Sequence, residues 1–210
     1  MPNSPASSLG QVLIPIARAA ISSVFGRSYG DTAMNSPMNS PCEDLPWLHE
    51  KGASFVTLKL NQKLRGCIGT LEAHRPLLMD VKANAHAAAF RDSRFPPLAE
   101  DELDHTEIEI SLLSAMQALE FSGEVDALAQ LQPGIDGVVF EFGRYRSTFL
   151  PQVWEQLPDV SVFMAHLKHK AGLQPEFWDD EVKLYRYSVS KWKERDIQEK
   201  IEIVDKRLGI

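Results

Sequence analysis

Thr106-Glu107-Ile108-Glu109-Ile110-Ser111-Leu112 alternates apolar and polar residues without a break. That two-residue period demands a strand with one face on a core and the other polar, the pattern of antiparallel rather than buried parallel sheets. Other strand-like runs come in hairpins. Residues 55–60 lead through Asn61-Gln62 into a second run at 64–71, and 138–142 lead across Gly143-Arg144 into 145–150. A last strand is expected at 182–189. Helical spacing appears between these runs at irregular intervals. Leu9, Val12, Leu13, Ile16, Ala20 and Val24 predict an amphipathic helix ending near Gly26, with Pro15 as a point of kinking. Pro76 suits the first turn of an alanine-rich helix running to about Phe90, and Pro96-Pro97 stiffens its exit. Ser122 is placed to cap a short helix carrying Val125, Leu128 and Leu131. Asp159 is placed to cap one whose apolar face is Val160, Phe163, Met164, Leu167 and Ala171, ended by Gly172. A charged helix is expected from about Ser190. Hairpins with scattered helices predict an α+β fold of mixed or antiparallel sheets flanked by helices.

The 210 residues suffice for one large domain or two small ones. Residues 27–46 are rich in Ser, Asn, Pro and Gly without periodicity, so they read as a long loop anchored near Leu45 and Trp47. The organisation expected is therefore an N-terminal helix and loop (1–48), a main domain (49–190) and a C-terminal helix or tail (191–210). A net charge of −7 argues against a broad nucleic-acid-binding surface. Two cysteines, Cys42 and Cys67, with no C-x-x-C pattern, fit a reducing compartment rather than a disulfide scaffold. No stretch approaches the roughly 20 apolar residues of a membrane span, and no signal peptide is evident, so a cytoplasmic protein is expected.

The chemistry concentrates in Leu64-Arg65-Gly66-Cys67-Ile68-Gly69-Thr70. On a regular strand Arg65 and Cys67 share a face, opposite Leu64 and Ile68. A guanidinium beside a thiol favours the thiolate, and Gly66 and Gly69 leave room for a ligand or another backbone to approach. Arg91 and Arg94 follow one helix later and are placed to converge with Arg65 on an anionic group; pairing with acids such as Asp92 is the alternative. His86, on the alanine-rich helix, is the one candidate base, and a satisfied core or surface histidine is the favoured account of it. His166 and His169 lie on the solvated side of their helix and lack a third ligand, and Glu100, Asp101, Glu102 and Asp104 resemble the polar first turn of a short helix. Neither a metal nor a cofactor is expected, because no phosphate loop, dinucleotide fingerprint or nucleophile elbow occurs.

These residues resemble a known family. Leu64-Arg65-Gly66-Cys67-Ile68-Gly69 is similar to the signature of the AMMECR family, whose prokaryotic members are called AmmeMemoRadiSam system protein A. The resemblance continues through Phe90-Arg91-Asp92-Ser93-Arg94-Phe95-Pro96-Pro97-Leu98, Ile110-Ser111-Leu112-Leu113-Ser114, Pro133-Gly134-Ile135-Asp136-Gly137 and Thr148-Phe149-Leu150-Pro151-Gln152-Val153-Trp154, with Lys170-Ala171-Gly172-Leu173 and Trp178 also fitting. It implies two unequal lobes of mixed α and β structure, with the cysteine motif near a cleft. It further implies association with a radical S-adenosylmethionine enzyme and with Memo, a protein resembling an extradiol dioxygenase, while the family's own activity is uncharacterised. Two functions are then expected. In the first, an enzyme uses Cys67 and Arg65 as catalytic residues in a transferase-like step on a nucleobase or small anionic substrate, held by Gly66, Gly69, Arg91, Arg94 and Gln152. In the second, the protein is a non-catalytic adaptor or substrate-binding subunit of that system. A third, blander reading makes the glycine motif a tight strand crossing with Cys67 as a small buried hydrophobe.

Overall fold

The computed structural model describes residues 6–27 and 43–197. In chain order its elements are α1 (Ala6–Ser22), β1 (Lys51–Gly52), β2 (Ser54–Leu60), β3 (Lys63–Gly69), β4 (Arg75–Pro76), α2 (Leu77–Phe90), β5 (Thr106–Leu113), β6 (Gln117–Ala118), α3 (Glu124–Ala129), β7 (Gly137–Phe142), β8 (Tyr145–Phe149), α4 (Val160–Lys170), β9 (Lys183–Tyr187) and β10 (Val189–Lys193). They build two units of unequal size, one from the described residues up to Leu112 and from Ser190 onward, the other from Leu113–Val189. The expected α+β class, with antiparallel sheets flanked by helices, is what the chain adopts. Most of the 27–46 loop, Cys42 and the chain after Ile197 lie outside the described residues. No helix among the described residues is long and apolar enough to cross a membrane.

The first unit carries a four-stranded sheet in the order β10-β5-β2-β3. Its hairpin turns at Asn61 and Gln62, both with positive φ (51° and 63°), the two-residue geometry whose twist matches that of paired strands. Val56, Leu58, Ile108 and Ile110 lie on one face and pack with α2 and α1. The alanines of α2 explain how closely the helix sits: Ala85, Ala88 and Ala89 are buried. The described parts of 1–48, expected to pack on the body, and of 191–210 belong to this unit. Leu13, Ile16, Ala17 and Ile21 of α1 are fully buried in its core, and Val189–Lys193 forms strand β10 of its sheet, so the charged helix expected from about Ser190 begins only at Glu194. Tertiary packing overrides the helical charge pattern, for Gly10 of α1 lies so close to Trp192 of β10 that a Cβ there would sit 2.4 Å from the indole.

A polar cluster ties α2 to the ends of β2 and β3. Asp80, fully buried, accepts hydrogen bonds from Ser54 N (2.8 Å), Ser54 Oγ (2.7 Å), Thr70 Oγ1 (2.7 Å) and Arg75 Nε (2.9 Å). Asn84, one turn on, donates to Ser54 O and to Asp80 (both 2.9 Å). Every oxygen of the buried carboxylate is engaged, which is the condition for burying one without large cost.

The second unit carries a four-stranded sheet in the order β6-β9-β7-β8, with α4 against it. Asp159 caps α4 as expected, its Oδ1 accepting from Ser161 N (2.9 Å) and Val162 N (3.0 Å), and Gly172 ends the turn with φ +88°. The short helix α3 departs from expectation. Gly123, not Ser122, occupies the N-cap position, and Asp126 accepts the Ser122 N–H at 2.9 Å. Val125, placed on the apolar face, is 85% exposed, while Ala127 and Leu131 are buried. Six residues cannot hold a helical register on their own, so the core selects which face turns inward.

Candidate functional site around Cys67

The hairpin register decides what surrounds Cys67. Counted from the turn, Lys63 pairs with Leu60 and Leu64 with Lys59, but the next pair is Leu58 with Gly66, so Arg65 is an extra residue without a partner. It forms a β-bulge, which breaks the alternation and re-aims the side chain. The regular alternation expected for this strand is therefore broken: Leu64 pairs with Lys59 on the polar face and Ile68 with Val56 on the core face, where both were expected on one face. Beyond the bulge, Cys67 pairs with Thr57, which pairs in turn with Glu109. The thiol thus lies on the polar face of the sheet, opposite the face that meets α2.

Arg65 turns inward, 8% exposed. Its Nε and Nη2 donate to the two carboxylate oxygens of Glu102 at 2.9 and 2.8 Å, Nη1 to Pro96 O at 2.9 Å and Nη2 to Pro97 O at 3.2 Å. Hydrogen bonding to Glu102 raises the guanidinium pKa and lowers that of Glu102, with burial opposing in each case. The guanidinium is a clamp on the Pro-Pro turn and on the short 3-10 helix Glu100–His105, where the acidic cluster was expected to form a polar first turn.

The cation beside Cys67 is Arg94. Its Nη2 donates to Cys67 O at 3.1 Å and to Asp92 Oδ2 at 2.6 Å, and its Nε to Asp92 Oδ1 at 2.9 Å. Asp92, 6% exposed, also accepts Cys67 N–H at 2.9 Å. Asp92 chiefly, and the Cys67 thiol to a smaller degree, raise the Arg94 pKa. The Arg94 side chain is 54% exposed and stacks over the Phe95 ring at 5.6 Å. On the other flank, Thr57 Oγ1 donates to Cys67 Sγ at 3.3 Å. Glu109, 6% exposed, lies next in the row and pairs with Lys59 and Lys191, each at 3.2 Å. Burial pushes its carboxyl up, but the two ammonium groups outweigh burial and hold it below its ordinary value.

The two glycines of the motif are spent on packing. A Cβ on Gly66 would sit 2.1 Å from the Ala88 carbonyl oxygen of α2, and one on Gly69 would sit 2.1 Å from the Phe55 ring. The backbone that approaches Gly66 is the protein's own helix. Arg91 is exposed, and Gln152 is exposed on the 3-10 helix Pro151–Glu155 of the second unit. His86, its ring 5.1 Å from that of Phe90, belongs to α2 and so to the other side of the sheet from the thiol. His166 and His169 are exposed. Thr57 and Glu109 have no signal in the sequence, whereas the alternative of an arginine pairing with Asp92 is what Arg94 does. Asp92 had a signal in the Arg91-Asp92-Ser93-Arg94 run, whereas Thr57 and Glu109 become neighbours of Cys67 only through the bulge.

Asp92 gives this site a pH dependence. Its carboxyl is held well below the usual range, first by the Arg94 hydrogen bond and further by the Cys67 and Arg94 backbone N–H groups, against the opposing effect of burial. A depressed folded-state pKa adds stability that is fully present above the unfolded value, near 3.9, and is lost as pH falls through the folded one. Asp92→Asn is expected to cost about 1–2 kcal/mol at neutral pH. The gap to wild type should narrow as pH drops below about 4, read as the difference in urea midpoints. A gap that stays constant with pH would show that the carboxylate charge is not what matters.

Known proteins resemble this chain along most of its length. A family model described as AMMECR1 matches residues 14–192. Protein MJ0810 of Methanocaldococcus jannaschii is 36% identical over 164 residues, covering 76% of this chain and 81% of the relative. Protein SSO0193 of Saccharolobus solfataricus is 36% identical over 193 residues, covering 89% and 82%. The crystal structure of the uncharacterized protein PH0010 from Pyrococcus horikoshii superposes with a TM-score of 0.67 at 31% identity, covering 88% of this chain and 91% of that one.

Proposed function

Because the chain belongs to the AMMECR1 family, we propose that it serves a cysteine-dependent, transferase-like step in modifying a nucleobase or another small anionic substrate, in the cytoplasm. The observation that carries this reading is the Thr57 hydroxyl donating to Cys67 Sγ at 3.3 Å on the polar face of the sheet. A buried structural cysteine needs no donor aimed at its sulfur; a sulfur that accumulates charge during reaction does. Cys67 is the nucleophile or acid–base group, and of the arginines expected to hold the anion it is Arg94 that does so, since Arg65 is engaged by Glu102 and the proline carbonyls while Arg94 Nη1 is free of protein hydrogen bonds among the described residues and its side chain is half exposed. Arg91, exposed nearby in sequence, supplies a second cation. Gly66 and Gly69 contribute by fixing the strand that presents the thiol. By family association the step is shared with a radical S-adenosylmethionine enzyme and a Memo-like protein of the AmmeMemoRadiSam system.

One observation favours the adaptor reading instead. The charges around Cys67 are already paired within the chain, Glu109 with Lys59 and Lys191 and Arg94 with Asp92, which leaves little unpaired charge at the sulfur for catalysis.

Alkylation of the native protein by a neutral thiol reagent separates the readings, with Cys67→Ser correcting for Cys42. Labelling of Cys67 at about pH 6–7 well above the rate of a model thiol is expected for the enzyme. A rate equal to that of an ordinary exposed thiol favours the adaptor. Reaction only on unfolding would end the case for chemistry at this sulfur.

A further inference from the structure

The Pro133-Gly134-Ile135-Asp136-Gly137 segment is left unused by the Cys67 site, and it holds a carboxylate in an unusual position. Asp136 is 6% exposed, and one of its oxygens, Oδ2, accepts the Gln132 N–H at 2.8 Å. The other oxygen has no partner among the described residues. The residue cannot easily turn away. Trp154 Nε1 donates to its carbonyl at 2.7 Å, and the next residue, Gly137, lies against the Tyr187 ring so closely that a Cβ would sit 2.4 Å from it.

Asp136 lines a cavity of about 210 Å³ within the second unit, together with Arg186, Gln132, Ser114 and Ser188. Arg186 is half-buried, and the one hydrogen bond of its guanidinium among the described residues is a long one, 3.4 Å, to Gln130 O. Carboxylate and guanidinium thus line the same small cavity without forming an ion pair with each other. Asp136 is largely buried and Arg186 half-buried, yet the two open onto the cavity without pairing, which leaves both able to complete a ligand of opposite charges. The volume lies below the roughly 300–1,000 Å³ of drug-sized sites, so the occupant is small. The walls are mainly polar and carry both signs of charge, which suits a ligand with a cation at one end and an anion at the other better than a flat heterocycle needing apolar faces.

We propose that this cavity binds a small zwitterion of the α-amino-acid class, its ammonium group on Asp136 and its carboxylate on the Arg186 guanidinium. The two N–H edges of the guanidinium match a carboxylate in the bidentate manner, and the free oxygen of Asp136 accepts from the ammonium. The site is independent of the Cys67 reading and stands or falls without it.

Calorimetric titration of the full chain with glycine, L-serine and L-glutamine tests this, with ethylamine and acetate as the two halves of the ligand. At least one amino acid is expected to bind saturably in the millimolar range or tighter, and each half about tenfold or more weaker. Arg186→Gln is expected to weaken binding about tenfold or more, as is Asp136→Asn, which keeps an acceptor for Gln132 N–H. Thermal unfolding checks that each variant is folded; if Asp136→Asn is not, Arg186→Gln decides alone. No saturable binding by any of the three, binding indifferent to Arg186→Gln, or acetate binding as tightly as the amino acids would each overturn the proposal.

Discussion

Arg18→Met is expected to remove about 3–5 kcal/mol of stability, the cost of breaking a fully buried ion pair by deleting one partner. Arg18 is 3% exposed and Glu194 6%. Nε of the guanidinium donates to Glu194 Oε1 at 3.0 Å, Nη1 to Leu103 O at 3.0 Å, and Nη2 to Thr106 O and to Glu194 Oε2. Glu194 in turn accepts the Ile108 N–H at 3.0 Å. One side chain thus joins the first helix, the start of β5 and the segment after β10, across 176 positions of sequence. Removing it leaves a carboxylate and two carbonyl oxygens buried without their donor, and an apolar methionine can satisfy none of them. The double variant Arg18→Met with Glu194→Leu should be more stable than Arg18→Met alone, since it removes the orphaned charge. Urea unfolding measures both, and a loss below about 1 kcal/mol for Arg18→Met would mean that water reaches the pair.

Gly66→Ala is the second large effect, about 3 kcal/mol or more, at the top of the range for overpacking. The added methyl would meet the Ala88 carbonyl oxygen at 2.1 Å and its carbon at 3.0 Å. Both sides of that contact are backbone, one in a sheet and one in a helix, so neither yields without moving its whole element. Gly69→Ala is the informative contrast. There the obstacle is the Phe55 ring, a side chain that can rotate, so a smaller loss is expected. Comparing the two thermal midpoints checks the ordering. If Gly66→Ala unfolds at the wild-type temperature, the strand and helix are not locked together there, and the glycine again becomes a gate for a ligand.

The parts of this fold that sequence discloses are those decided locally. The alternation of residues 106–112 reappears in β5, with Ile108 and Ile110 buried and Glu107 and Glu109 on the polar face. The Asn61-Gln62 turn and the Asp159 cap need only a few adjacent residues, and both form where expected, although Gln62 takes a left-handed conformation that glycine usually fills. The surroundings of Cys67 are different in kind. Without the extra residue, a two-residue turn would pair Cys67 with Val56 and send the sulfur to the core face; one bulged position sends it to the other. That bulge is held by Glu102 and two proline carbonyls more than thirty positions away, which no local pattern announces. The start of the last helix, expected near Ser190 and found at Glu194 after β10, is displaced for the same reason. The charged residues of β10 suit a helix, but Trp192 against Gly10 and Lys191 against Glu109 settle it in the sheet.

The pairing of Asp92 and Arg94 with the Cys67 main chain has a consequence for how this molecule meets others. Among the described residues β3 is the outermost strand of its sheet, and such a strand offers unsatisfied amide and carbonyl groups to any extended peptide that comes alongside. Here the amide hydrogen and carbonyl of Cys67 are already taken by an acid and a base from the same loop. The border is closed to strand addition at the very residue bearing the thiol, so fibril-like stacking and peptide augmentation are both blocked there, and a visitor must come to the sulfur over the surface of the sheet rather than along its rim.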